Sequence, residues 1–286
     1  MNWINEANVL IVGLGLMGGS YAMGLRKLGF RVTAIDTNES SIIYAKENGI
    51  IDEGSTKASP DMINAADAVI FALYPTTFKK WIVENQKHFK SGIFITDVTG
   101  VKKDVVYEIQ SVLRDDVEFI ASHPMAGRET SGVEHSDNKM FIGANYIITP
   151  TDKNTAEGIK WCGELGRLLG VGNISVLSPE EHDEMIGFVS QLTHVIAVSL
   201  MTCSDNVHLK DYTGDSFRDL TRIANINDKM WSELFLMNKD ILMKEIDVFV
   251  NEMNSIKQML EDNDREGLRE KMRLSTQRRS LFNKKG

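Results

Sequence analysis

The feature that most constrains this chain is a glycine-rich turn close to its start. Val9–Val12 reads as a short β-strand that runs into Gly13-Leu14-Gly15-Leu16-Met17-Gly18, then Gly19-Ser20 and a helical stretch. Strand, G-x-G-x-x-G and helix start in that order describe a βαβ unit on a parallel sheet. Gly13 permits the tight turn, Gly15 lets a pyrophosphate approach the backbone, and Gly18 lets the helix lie close on the strand. The helix start offers unpaired N–H groups and the positive end of its dipole to phosphate. A second β-rich run ends at Asp36, about 20 residues beyond the glycines, where an acid accepts hydrogen bonds from an adenosine ribose. Asp36 also repels a 2′-phosphate, and Thr37-Asn38 supply no arginine to hold one. The expected cofactor is NAD rather than NADP, held by Gly13, Leu14, Gly15, Leu16, Met17, Gly18 and Asp36.

The same alternation continues through the first half. Val9–Val12, Arg31–Ile35, Ala68–Leu73, Ile93–Val98, Val117–Ala121, Tyr146–Thr149 and Ile174–Leu177 are rich in Val, Ile and Phe. Amphipathic segments lie between them, which predicts an α/β, Rossmann-like domain with a mostly parallel sheet. The pattern stops after Leu177, where Ser178-Pro179-Glu180-Glu181 reads as a helix start: N-cap, Pro at N1, acids in the first turn. Beyond it the periodicity is almost entirely helical, at about Asp183–Asp205, Phe217–Ala224, Asp228–Ile256 and Arg265–Phe282. The helix Asp183–Asp205 is apolar round most of its circumference and is expected to be buried, between domains or between subunits. At roughly 100–200 residues per domain, 286 residues divide into an NAD-binding domain at 1–178 and an all-helical domain at 179–286.

Charge narrows the partners. Lys and Arg total 32 against 40 Asp and Glu, a net charge of −8, which argues against nucleic acid or an anionic membrane surface as partner. An anionic small molecule must then meet a few locally placed cations. The N-terminus lacks the basic and apolar regions of a signal peptide. No stretch of about 20 uncharged apolar residues is expected to span a membrane, so the expected location is the cytoplasm. Cys162 and Cys203 are far apart, form no metal-ligand cluster, and are read as buried reduced thiols.

Several residues could carry chemistry. His123 follows the strand Val117–Ala121 and opens Ser122-His123-Pro124-Met125-Ala126-Gly127-Arg128-Glu129, at the strand ends where open α/β sheets bind ligands. A base beside a hydroxyl-bearing carbon and a nicotinamide is the minimum for alcohol oxidation; a hydrogen-bonded strand-end histidine is the alternative. Gly187, Gln191 and His194 share one helix face, which must meet something polar: a site, water, another subunit or a core partner. His182, in the first turn after Pro179, is favoured neutral by the helix dipole and serves in capping or packing as readily as in catalysis. Arg218 beside Asp219 reads as surface charge, whereas Arg222 reads as a half-buried guanidinium suited to a carboxylate.

These residues together resemble the prephenate dehydrogenase family, with its arogenate-using relatives. The resemblance runs over essentially the whole chain: Gly13–Ser20, Thr96–Lys102, Ser122–Gly132, His182-Asp183, Ser190–His194 and Asp219–Ala224. It implies an NAD-binding domain followed by a helical domain that forms a homodimer, with the site in the cleft between them. It implies that His123 takes the proton from the ring hydroxyl, that His194 contacts the substrate side chain, that Arg222 anchors a carboxylate, and that Glu129 shapes the entrance. The implied reaction is oxidative decarboxylation of prephenate to 4-hydroxyphenylpyruvate in tyrosine biosynthesis, or of arogenate to tyrosine.

Three positions depart from the family pattern. Gly100 stands where many relatives carry a serine whose hydroxyl helps hold the catalytic histidine and substrate; either Thr99 or Ser122 substitutes, making both candidate site residues, or the contact is absent. Gln191 replaces a second histidine as a candidate substrate contact, and Gly214-Asp215-Ser216-Phe217 is less glycine-rich than usual. A chain ending at Gly286 is expected to carry no appended regulatory or chorismate mutase domain. A β-hydroxyacid dehydrogenase would place a catalytic lysine on the first interdomain helix, and Asp183–Asp205 has none. A non-catalytic NAD-binding protein would have little use for His123, His194 and Arg222 together.

Overall fold

The computed structural model describes Trp3 and residues 7–282. Six parallel strands form the main sheet: β1 (Asn8–Val12), β2 (Arg31–Ile35), β3 (Glu53–Ser55), β4 (Ala68–Phe71), β5 (Ile93–Asp97) and β6 (Val117–Phe119). Their order is β3-β2-β1-β4-β5-β6, and helices α1 (Leu16–Lys27), α2 (Glu39–Glu47), α3 (Pro60–Ala65), α4 (Pro75–Asn85) and α5 (Lys103–Val112) make the connections. Alternate residues of β1 supply two cores. Val9 and Ile11 join Tyr21, Ala22 and Leu25 of α1 on one side; Leu10 and Val12 join Phe71, Phe78 and Ile82 on the other. The winding reverses between β1 and β4, and the crevice at the carboxyl ends of such neighbours is where open sheets take ligands. Only β3 among these strands lacked a sequence signal, being short and polar.

The run Val117–Ala121 forms two strands rather than one. Val117–Phe119 pairs with β5, while β7 (Ala121–Pro124) leaves the main sheet and pairs antiparallel with β8 (Asn145–Thr149), itself parallel to β9 (Asn173–Val176). The switch occurs at buried Ile120, whose N–H still donates to Ile95 at 2.9 Å. His123 therefore lies inside a strand, opposite Ile147, and not beyond a strand end. Helix α6 (Ala156–Leu168) follows β8.

Ser178 opens the helical half through a capping box with Glu181, with Pro179 in the first turn. Helix α7 (Pro179–Ile186), a π-helical stretch Gly187–Leu192 and α8 (Thr193–Thr202) run on as one. This helix has a mean hydropathy of 1.5 in its most apolar window and is long and apolar enough to cross a membrane. The expectation of no such stretch is thereby corrected: its polar residues, Ser190, Gln191, Thr193 and His194, are uncharged and do not break the run. Nor is it buried all round, since Met185, Phe188, Val189 and Met201 are exposed on the surface of this chain. Cys162 is buried as expected, but Cys203, at the helix end, is exposed.

Helices α9 (Leu209–Tyr212) and α10 (Asp215–Thr221), a 3₁₀ turn Arg222–Ala224 and α11 (Asp228–Met237) complete the first compact unit, which ends at Asn238. The periodicity over Asp228–Ile256 suggested one helix. Asn238 interrupts it, its buried side chain turned inward to donate to the Asp183 carbonyl at 3.0 Å and to Gln191 Oε1 at 2.8 Å. The change of pattern at residue 178 thus marks the end of α/β alternation, whereas compactness breaks only between Asn238 and Lys239. The second unit is a helical hairpin of α12 (Lys239–Glu261) and α13 (Arg265–Ser280), turned at Asn263 (φ 55°) and clasped by Lys271 and Glu252 at 2.6 Å.

Candidate active site

At the end of β1, Gly13 has φ +94°, and a Cβ there would lie 2.4 Å from the Ala72 carbonyl. A Cβ on Gly18 would lie 1.9 Å from the Gly13 carbonyl. Gly15, by contrast, faces open space, with nothing within 4 Å of an added Cβ. It is also the N-cap of α1, whose first turn holds no acid and no side-chain cap. Leu16 and Met17 begin that helix, so the leading N–H groups are left for an anion. Asp36 closes the cradle: its carboxylate accepts from the Leu14 N–H at 2.5 Å and from the Asn38 N–H at 2.7 Å. Side chains at Gly13 or Gly18 would collide with this turn, whereas the space beside Gly15 is open.

His123 is held by a chain of hydrogen bonds that fixes its tautomer. Both Asp183 oxygens cap the start of α5, accepting from the Lys102 N–H at 2.8 Å and the Lys103 N–H at 2.9 Å. The first oxygen also faces His182 Nδ1 at 2.7 Å, so that nitrogen carries a proton. His182 Nε2 is then an acceptor, and it lies 2.9 Å from His123 Nδ1, which must donate. What remains is a lone pair on His123 Nε2, the arrangement a general base needs. Burial, the neighbouring His182 and the Lys102 charge hold His123 well below the ordinary histidine range. Burial likewise lowers His182, against the opposing pull of Asp183.

Ser122 and Thr99 do not present hydroxyls to a ligand. Ser122 is fully buried, with Oγ 2.7 Å from the Tyr146 hydroxyl and 2.9 Å from both Thr96 Oγ1 and the Asp97 carbonyl. Thr99 bonds to the Asp97 carboxylate and the Val101 carbonyl and accepts from Lys102 Nζ at 3.1 Å. Both expectations are corrected: these side chains support His123 from behind because the chain turns inward after β5. An added Cβ at Gly100 would lie 4.0 Å from His123 Cε1 and 3.2 Å from Leu234 Cδ1, which places this position beside the His123 ring. Gln191 is also withdrawn. It is buried, donates to the Leu234 carbonyl at 3.0 Å and accepts from Asn238, tying the long helix to α11.

The remaining expected residues gather at a more open place. His194 donates from Nδ1 to the Ser190 carbonyl at 2.9 Å and stacks on Trp231 with ring centroids 3.7 Å apart. Burial lowers its pKa, while the Ser190 carbonyl opposes the shift. Arg222 and Glu129, 93 residues apart in the chain, form an ion pair. The Arg222 side chain is 66% exposed, not half-buried, because a 3₁₀ turn carries it outward past the end of α10. Arg218 pairs with Asp215 at 2.9 Å on the surface. Sequence reading missed Asp97, Lys102, Asp183 and Trp231 and left His182 undecided. The adjacent His182-Asp183 at a helix start and the Thr96–Lys102 segment were the available signals.

Comparison with known proteins agrees with this assembly. Residues 21–174 match the nucleotide-binding domain of prephenate dehydrogenase, and residues 178–274 match its dimerization domain. The chain belongs to the prephenate dehydrogenase family. It is 33% identical to prephenate dehydrogenase of Bacillus subtilis over 94% of this chain and 74% of that protein. It is 32% identical to the Lactococcus lactis enzyme of the same name, over 87% of this chain and 70% of that one. The crystal structure of Aquifex aeolicus prephenate dehydrogenase with hydroxyphenyl propionate and NAD+ superposes with a TM-score of 0.89 at 33% identity, covering 99% of this chain and all of that one.

Proposed function

We propose that this protein catalyses the NAD-dependent oxidative decarboxylation of prephenate to 4-hydroxyphenylpyruvate. The observation that carries the reading is the Asp183–His182–His123 chain, which leaves one basic nitrogen open in a fold whose β1 turn is shaped for a dinucleotide. Bound NAD+ supplies the hydride acceptor. His123 Nε2 takes the hydroxyl proton as hydride leaves the same ring carbon, and His182 disperses the positive charge that develops. The ring carboxylate departs as CO2, its bonding pair completing the aromatic ring, and the proton returns from His123 to the ring oxygen to give the phenol, so the protein's task is chiefly positioning and proton transfer. Arg222 receives a substrate carboxylate in exchange for Glu129, and the His194–Trp231 stack lines the side-chain end. Gly13–Gly18 and Asp36 hold the cofactor, with Asp36 selecting against a 2′-phosphate.

Arogenate is the second reading, favoured by Glu129: its carboxylate offers a partner to the ammonium that arogenate carries where prephenate has a keto group. NADH formation with each substrate, and with NAD against NADP, decides both questions in one assay. Binding of NAD without turnover of either substrate would overturn the reading.

We place the working division at 1–178 for cofactor and 179–286 for substrate and dimerisation, in a cytoplasmic homodimer. The exposed Met185, Phe188, Val189 and Met201 on one helix support a self-complementary apolar contact. Sedimentation of a single species at monomer mass across micromolar concentrations would sink the dimer.

A further inference from the structure

Lys102 and Asp97 form an ion pair at 2.7 Å in which both side chains are 0% exposed; every other lysine or arginine pair among the described residues is solvent-accessible. A buried pair is poor evidence for stability, because desolvating two charges offsets much of their attraction and an apolar pair of the same volume folds as well. Its connections suggest another role. Asp97 Oδ1 accepts the backbone N–H of Ser122 at 3.1 Å, directly before His123. Asp97 Oδ2 accepts Lys102 Nζ. The Lys102 backbone N–H donates to Asp183, which holds His182, which holds His123. The bonds form a closed ring that begins and ends at His123.

We propose that Lys102 is a positioning residue: with Asp97 it braces His123 from backbone and ring at once, and its ammonium disfavours a second positive charge on the His123–His182 pair. The groups facing His123 are His182 and Asp183 from α7, Lys102 from the turn before α5, and Asp97 from the end of β5. The Tyr146 phenol of β8 contacts Ser122 and Cys162. Of these, Lys102 brings the one ammonium group; burial lowers its pKa while Asp97 opposes that shift, and its charge acts on His123 in the same direction as burial. The proposal rests on His123 as the base, since only then does its charge state govern turnover.

The test is the titration of His123 by NMR in full-length, ¹³C,¹⁵N-histidine-labelled protein, assigned by the signals lost in His123→Asn. In the unsubstituted protein the ring should remain neutral and Nδ1-protonated through about pH 6.5, where free histidine half-titrates. Lys102→Met should raise the midpoint by about one unit or more and move the acidic limb of kcat upward with it. The double variant Asp97→Asn/Lys102→Met should raise it less, and it serves if an unpaired Asp97 prevents folding of the single variant. An unmoved midpoint in either folded variant overturns the proposal, even if kcat falls, because that is the signature of a structural lysine. So does an unsubstituted His123 that titrates near 6.5, which decides the matter without any variant. Full turnover by His123→Asn would instead defeat the base assignment and leave the titration result standing.

Discussion

His123 and His194 both lose basicity through burial, yet the groups around them differ in kind. Around His123 each partner is itself held: Asp183 by two backbone N–H groups, Lys102 by Asp97, and Ser122 by Thr96 and Tyr146. Around His194 the partners are a stacked ring and a nearby ion pair whose arginine is largely exposed. The first arrangement fixes a proton acceptor in one orientation and one tautomer. In the proposed reaction the second lets charges exchange partners as a substrate enters. Proton removal demands a fixed acceptor, whereas recognition of a carboxylate tolerates a side chain that moves to meet it.

The sharpest way to break this contrast is at the base. His123→Asn should lower kcat by about 10²–10⁴-fold while the NAD dissociation constant, read by fluorescence titration, stays close to that of the parent. Asp183→Asn attacks the support: kcat should fall about 10–100-fold, and the loss of a buried charged acceptor should lower stability to urea by about 1–3 kcal/mol. Arg222→Ala tests the open side. It should raise KM for substrate about 10-fold or more, with kcat nearly kept and the melting temperature unchanged, since an exposed ion pair contributes little. If Arg222→Ala lowered kcat as much as Asp183→Asn, the two ends would not differ as argued.

The last prediction concerns stability against pH. His123, His182 and His194 are all lowered in the folded protein, so the unfolded chain binds protons first as pH falls. Their contribution is present above about pH 6.5 and declines below it, by at most about 3 kcal/mol per pH unit for the two enclosed rings. Melting temperatures between pH 7.5 and about 5 should therefore drop. A flat profile would mean that the His123–His182 pair accepts a proton without cost.

Much of the first region could be read directly. The glycine turn, Asp36 and the helix start at Ser178 depend on neighbours within a few residues, and local sequence specifies them. The segment Val117–Pro124 reads less well. Its apolar character continues through Ile120, and only the competing edges of two sheets decide where β6 ends and β7 begins. Thr99, Ser122 and Gln191 show the same limit. Each is a polar residue beside the site in sequence, yet each turns its polar atoms into a buried network. Side-chain direction there is set by partners from other elements.

The sequence by itself determined a dinucleotide-binding α/β half, a helical half and the identities of His123, His194 and Arg222 as reactive candidates. Periodicity, glycine placement and capping are short-range, so they survive without knowledge of packing. Tertiary structure alone decided which nitrogen of His123 is basic. That depends on His182 and Asp183, from another helix, and the Asp183 carboxylate is itself held by the Lys102 backbone N–H at the start of α5. Such contacts join residues far apart in the chain, and burial gives them their strength by excluding the water that would otherwise screen them.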